Sequence, residues 1–167
     1  EKLYQKVVDY VLDTRQKPKV IMDLFCGTGT IGQILSNNIP GAEVIGVDVI
    51  PQAIEDAKKN AKRNSVRDLK FIAEDFGKFL QQYPQYKDNI STVVLDPPRA
   101  GIAPKTLKRV VQLNAARIVY VSCNPATQAR DTKYLLNEGN QLKKLSFVYQ
   151  FPHTCLLYTS PSPRDSK

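Results

Sequence analysis

Histidine occurs once in these 167 residues, at His153, and cysteine only three times, at Cys26, Cys123 and Cys155. A single histidine excludes a histidine-based metal cluster. An odd cysteine count without metal-ligand spacing argues against both a disulfide framework and a zinc site. No metal is therefore expected, and a reducing compartment, the cytoplasm, is the default. No apolar run approaches the ~20 residues that a membrane-spanning helix needs. No basic–apolar–small leader opens the chain, so no membrane partner is expected. The chain starts at Glu1 rather than Met, and a fragment lacking its true N-terminus is expected. Glutamate is also missing from the last stretch: none follows Glu138.

What is present fits one domain with a real core. Hydrophobic residues make up 42% and charged residues 24%, ordinary for a soluble globular chain. The net charge of +8 suits an anionic partner such as nucleic acid. A solvated surface accounts for much of it equally well. Lys58, Lys59, Lys62 and Arg63 fall on one predicted helix, where Glu55 and Lys59 form an i,i+4 pair.

The chain is organised around Val20-Ile21-Met22-Asp23-Leu24-Phe25-Cys26-Gly27-Thr28-Gly29-Thr30. An apolar run, a turn with two glycines, and then Ile31, Ile34 and Leu35 at helical spacing predict a buried parallel strand, a tight turn and a helix start. Gly27 and Gly29 let a ligand approach the backbone, and the helix start adds free N–H groups. Gly27, Gly29 and Gly32 also match the spacing of the dinucleotide pattern G-x-G-x-x-G. A dinucleotide dehydrogenase is therefore the second reading of this turn.

Further along, strands and helices alternate. Strands are predicted over 43–48, 69–73, 91–96, 117–122 and 141–151, and helices over 3–12, 51–64, 106–113 and 126–137, with another around Phe76, Phe79 and Leu80. That pattern predicts an α/β fold with a mostly parallel sheet and helices on both faces. Four strands end in Asp23, Asp48, Asp96 and Cys123. In such a sheet those ends meet at one edge, where ligands bind. Asp48 can accept hydrogen bonds from ribose hydroxyls. Asp75 either accepts from an adenine amino group or is a helix N-terminal acid. Phe25 can pack beside a cofactor, and the Thr30 hydroxyl can bond its amino-acid end. Cys123, at a strand's carboxyl end with a helix just beyond, is placed for a lowered thiol pKa and nucleophilic chemistry. Cys26 reads as a small buried hydrophobe. Arg130 and Asp131 either support the Cys123 loop or pair with each other.

Asp-Leu-Phe-Cys-Gly-Thr-Gly resembles the first motif of class I S-adenosylmethionine-dependent methyltransferases, which implies a Rossmann-like fold. Asp-Pro-Pro-Arg-Ala-Gly, Val-Ser-Cys-Asn-Pro-Ala-Thr-Gln-Ala-Arg-Asp and Phe-Pro-His-Thr follow in order. Together they resemble the RNA uracil-5-methyltransferase family, over residues 1–154. Arg99 stands where exocyclic-amine methyltransferases carry an aromatic residue, which counts against amine methylation. The resemblance implies methyl transfer from S-adenosyl-L-methionine to C5 of a uridine in 23S rRNA or tRNA by a monomer. Cys123 adds to C6, and Phe25, Gly27, Thr30, Asp48, Asp75 and Asp96 form the cofactor site. Asp96 has the alternative role of orienting the uracil, and His153 a substrate-side or a structural one. The alternatives are methylation of another base position, or a cofactor- or RNA-binding fragment without activity.

The chain departs from that family after Thr154. The family continues into a strand led by a glutamate that removes the C5 proton. Here Cys155-Leu156-Leu157-Tyr158-Thr159-Ser160-Pro161 follows, and residues 155–167 are expected to be a non-native tail. The last antiparallel strand is then missing, or imitated by Leu156, Leu157 and Tyr158. The fragment is expected to bind cofactor weakly and to turn over poorly.

Overall fold

Near-continuous apolar runs in the central strands give the sheet two apolar faces, and each face recruits helices. The computed structural model describes residues 2–148 and 154–161. Its helices are α1 (Lys2–Leu12), α2 (Thr30–Asn38), α3 (Pro51–Arg63), α4 (Phe76–Gln82), α5 (Pro104–Gln112) and α6 (Pro125–Asn137). The strands are β1 (Val20–Leu24), β2 (Glu43–Asp48), β3 (Leu69–Ala73), β4 (Thr92–Leu95), β5 (Arg117–Ser122), β6 (Asn140–Val148) and β7 (Thr154–Pro161). A short 3-10 turn, Pro84–Tyr86, lies in what reads from sequence as loop.

Met22, Leu24, Ile45, Val47, Val93, Leu95, Ile118 and Tyr120 point to one face. There they meet Phe76 and Phe79 of α4, Leu107 and Val110 of α5, and Leu135 of α6. Their sequence neighbours Ile21, Val44, Val94 and Val119 point the other way, onto Val7 and Val11 of α1 and Ile31 and Leu35 of α2. α3 adds Ile54, Ala57 and Ala61 around Cys26 and Phe71. Coverage on both faces is why β4 and β5 are buried at every position.

The strand order is β3-β2-β1-β4-β5-β7-β6. β1 to β5 pair in parallel. β7 runs against both of its neighbours, β5 and β6. The carboxyl ends of the five parallel strands therefore share one edge, as their sequence pattern predicts.

A last antiparallel strand is present. Leu156, Leu157 and Tyr158 pair with Val121, Tyr120 and Val119, and Leu157 is buried. β6 is described as Asn140–Val148, while its expected continuation to Phe151, and His153, lie outside the described residues. The expected Glu55–Lys59 pair does not form. Lys58 instead lies 3.5 Å from Glu55 and Lys59 4.0 Å from Asp56, one position closer along α3. All four side chains are exposed, so the exchange carries little energy.

Thr159 of β7 is fully buried, and its hydroxyl has no hydrogen-bond partner among the described residues. A buried hydroxyl without a partner forfeits about 1–3 kcal/mol. Thr159→Val keeps the shape and removes the hydroxyl. It is expected to raise the urea midpoint, gaining about 1 kcal/mol. A lowered midpoint would show that the hydroxyl is bonded.

Candidate active site

The turn after β1 is built from backbone that side chains rarely adopt. Phe25 has φ +61°, Gly27 +52° and Gly29 +81°. For Phe25 this costs on the order of 1 kcal/mol, a kind of strain that clusters at ligand sites. The turn is tied to the neighbouring strand. The Cys26 N–H donates to the Val47 carbonyl at 3.3 Å, and the Gly27 N–H donates to Asp48 Oδ2 at 2.9 Å. Glycine is required at Gly29, where a Cβ would sit 2.4 Å from Phe71 Cζ. At Gly27 a Cβ would meet nothing within 4 Å, so that side of the turn is open. Thr30 is exposed at the first position of α2.

Asp48 closes β2 beside this turn. Its Oδ1 accepts the Ile50 N–H at 3.0 Å, and its Oδ2 the Gly27 N–H. Each oxygen keeps capacity for one more donor. Asp75 follows β3 and caps α4: its Oδ1 accepts the N–H groups of Gly77 at 2.9 Å and Lys78 at 3.2 Å. Arg109 stands 3.5 Å from the same oxygen. Of its two expected roles, the structural one is the one on view.

Asp23 differs from the other acidic residues. It lies within β1 rather than at the rim, is 0% exposed, and neither carboxyl oxygen has a hydrogen-bond partner among the described residues. Burial, then the charge of Asp96, then that of Asp48 push its pKa up to about 8. The Gly32 backbone N–H pulls the other way, without reaching hydrogen-bond geometry. Asp96 follows β4 at the rim and is exposed as a residue, yet the protein around its carboxyl strips away enough water to push its pKa up to about 6. Cys26 is buried as expected, and burial pushes its thiol far up.

Cys123 is exposed in the short link between β5 and α6. The link is fixed on both sides. The Ser122 hydroxyl donates to the Asn124 carbonyl and accepts the Asn124 N–H, both at 3.0 Å. The Asn124 side chain caps α6 through the Ala126 N–H at 3.1 Å, and Pro125 fits the first helical position. Asn124 Nδ2 and the Thr127 hydroxyl both donate to the Arg99 carbonyl at 3.0 Å. The segment after Asp96 is thus bonded to the segment after Cys123.

A shallow cleft of about 30 Å³ lies between the ends of β1 and β2, lined by Phe25, Asp48, Val49, Glu74, Phe76 and Thr106 among others. Larger hollows lie elsewhere. One of about 630 Å³ is walled by Asp13, Arg15, Lys17 and Arg117, at the amino ends of the strands. It gathers none of the strand-end groups, so size does not locate the site. The structure brings Phe25, Gly27, Thr30, Asp48, Asp75, Asp96 and Cys123 to the carboxyl edge. Sequence reasoning missed Val49 and Ile50, which are 64% and 55% exposed. Two apolar residues directly after a strand-ending acid were the available signal. No group of three or more metal-ligating side chains occurs among the described residues, and no helix among them is long and apolar enough to cross a membrane.

Comparison with known proteins gives concordant matches. A family model described as a methyltransferase domain matches residues 15–156. An uncharacterized RNA methyltransferase of Clostridium acetobutylicum is 42% identical over 154 residues, 92% of this chain and 32% of the relative. A 23S rRNA (uracil(1939)-C(5))-methyltransferase of Shewanella denitrificans is 42% identical over 137 residues, 80% of this chain and 29% of the relative. Among solved structures, the Pyrococcus abyssi tRNA (uracil-54, C5)-methyltransferase in complex with S-adenosyl-L-homocysteine superposes with TM-score 0.76 at 33% identity. That match covers 95% of this chain and 37% of the other. A precorrin-6y C5,15-methyltransferase of Geobacter metallireducens, TM-score 0.77 but 14% identical, shares the fold alone. The chain spans about a third of the length of the first curated relatives it matches, 32% for the first.

Proposed function

We propose, since the chain belongs to the methyltransferase domain family, that its parent protein methylates C5 of a uridine in 23S rRNA or tRNA through a covalent bond from Cys123 to C6. The observation that carries this reading is an exposed thiol at the end of β5, on the same sheet edge as the Gly27–Gly29 turn and the carboxylates of Asp48 and Asp96.

S-adenosyl-L-methionine, when bound, supplies an electrophilic methyl group for C5. The residues present fit it. The open side of Gly27 leaves room against the backbone, and Asp48 keeps acceptor capacity for ribose hydroxyls. Val49 and Ile50 offer apolar surface to a planar base. Phe25 and Thr30 flank the same turn, and Asp75 stands at the rim toward the base.

Uracil C5 is a poor nucleophile until C6 is attacked. Cys123 Sγ bonds to C6, and the ring's electron pair moves onto C5 and the O4 side. After C5 is methylated, a base takes the C5 proton, the electron pair re-forms the C5–C6 double bond, and the C6–S bond breaks. Asp96, one hydrogen-bonded segment away from Cys123, orients the uracil. The target uridine must leave its stack to reach the rim, which RNA loops permit most cheaply.

The proton-removing base is the weak point of this chain. No glutamate follows Glu138, the family match stops at residue 156, and β7 buries an unsatisfied hydroxyl. These support the reading that residues 155–167 are a foreign tail and that the fragment is impaired in the last step.

A 5-fluorouridine RNA separates the steps, because fluorine at C5 cannot leave as a proton. With methyl-labelled S-adenosylmethionine, this chain is expected to give a protein–RNA adduct that carries label and survives denaturation. With uridine RNA it is expected to release little methylated product. Label reaching RNA without any adduct to 5-fluorouridine would rule out the covalent route.

A further inference from the structure

Asp131 is 1% exposed, and its carboxylate is shared among three parts of the chain. Oδ2 accepts the Tyr120 hydroxyl of β5 at 2.7 Å and the Ile102 N–H at 2.8 Å. Oδ1 accepts Arg130 Nε at 2.9 Å and lies 2.8 Å from Arg130 Nη2. Arg130 Nη2 goes on to the Ala100 carbonyl at 3.1 Å and the Ile102 carbonyl at 3.5 Å. Between these residues the chain passes through Gly101 at φ +78°. A Cβ there would fall 2.5 Å from Arg130 Nη2 and 2.7 Å from Asp131 Oδ2. Backbone and ion pair are therefore packed together without slack, and only glycine fits between them.

Between Asp96 and α5 the chain is anchored by Ile102, which is buried in the core, and by the Gly101 N–H donating to the Pro98 carbonyl at 2.9 Å. Residues 99–102 form no helix or strand, and their other hydrogen bonds run to α6 and its N-cap, through Asn124, Thr127, Arg130 and Asp131. Tyr120 lies three positions before Cys123 on β5. One buried carboxylate thus touches the strand that carries the thiol and the loop that carries Asp96, and it sits on the helix that starts beside both.

We infer that Asp131 is a positioning residue: it fixes the Asp96–Ile102 loop against the Cys123 link, and so sets the relation between the uracil-orienting carboxylate and the nucleophile. Its bearing on chemistry rests on the methyl-transfer reading given above. Burying a carboxylate is costly unless every oxygen is paired, and here four donors pair it. Asn at this position keeps the size but offers one acceptor oxygen for the two sets of donors, so either the Ile102 N–H and Tyr120 hydroxyl or the Arg130 guanidinium loses its partner. A shift of about 1 Å at such a site costs about 10²-fold in rate.

The experiment compares this 167-residue chain with Asp131→Asn and Tyr120→Phe in two ways. In amide hydrogen exchange, Asp131→Asn is expected to speed exchange across residues 99–103 while leaving β1 and β2 unchanged. Tyr120→Phe, which removes only one of the four donors, is expected to give a smaller effect in the same segment. In adduct formation with 5-fluorouridine RNA, Asp131→Asn is expected to lower the maximal rate about 10²-fold. The half-saturating RNA concentration and the affinity for S-adenosylhomocysteine should stay put.

Unchanged exchange at 99–103 overturns the proposal, and so does faster exchange with an unchanged maximal rate. Parallel loss of cofactor affinity and rate would assign Asp131 a merely structural part, which also overturns it. If the unmodified chain forms no adduct, it is the methyl-transfer reading that fails. The exchange result then decides alone whether Asp131 holds the loop.

Discussion

Cys123→Ala is expected to abolish the 5-fluorouridine adduct and to lower methyl transfer to uridine RNA by about 10⁴-fold or more. The same variant should bind S-adenosylhomocysteine within about twofold of the unmodified chain. The two expectations separate because of where the residue sits. Cys123 is exposed in the link after β5, and the Gly27–Gly29 turn is held by β2, through Val47 and Asp48. Removing one sulfur from an exposed link leaves the packed faces of the sheet untouched, so stability should hardly change. Methylation of an exocyclic amine needs no thiol adduct, so full activity in Cys123→Ala would move the chain to that chemistry. Gel-resolved adduct and isothermal titration calorimetry read the two halves.

Asp23→Asn is expected to produce the largest change in stability, and the change should grow with pH. Below about pH 4 the carboxyl is protonated whether the chain is folded or not, and the residue contributes no pH dependence. As pH rises, the unfolded chain loses the proton first. The folded chain holds it up to about pH 8, because the site is dry and faces the charges of Asp96 and Asp48. The unfolded state then binds fewer protons than the folded one, so stability falls with rising pH across that window. At about 1.4 kcal/mol per pH unit, the ceiling on the loss is on the order of 5 kcal/mol. Asparagine cannot ionise and removes that slope. Urea unfolding of both proteins at pH 5 and at pH 8 should show the variant gaining on the original chain. Parallel curves would mean that Asp23 is ionised in the fold and has a partner. A site that retains such a cost is trading stability for function.

Much of the architecture could be read before any coordinates. Strands such as Val93-Val94-Leu95 and Ile118-Val119-Tyr120 are apolar at every position, which only a sheet covered on both sides explains. Boundaries differed where proline chemistry set them. α5 begins at Pro104 and α6 at Pro125, because the first helical position tolerates the missing N–H. The place of Asp48, Asp96 and Cys123 at one sheet edge was legible because topology alone carries the strand ends there. Asp23 was read as one of them and proved to be an interior group, since the last residue of an apolar run can sit a step below the rim. The partnership of Asp131 with Tyr120 and Ile102 was the least legible part. Sequence spacing offered a choice between pairing with Arg130 and supporting the Cys123 loop; the carboxylate pairs with Arg130 and also accepts from Tyr120 and Ile102. Two oxygens with four donors cannot be inferred from a Lys/Arg-next-to-Asp pattern.

The sheet order also governs how this molecule comes off a ribosome. β6 is synthesised before β7, yet β7 is the strand that joins it to β5. At that stage of translation β6 has no backbone partner, and the flank of the sheet beside Cys123 stands open. Closure waits for β7, which enters between two strands already made. Assembly of this flank therefore depends on a strand that is made after both of its neighbours.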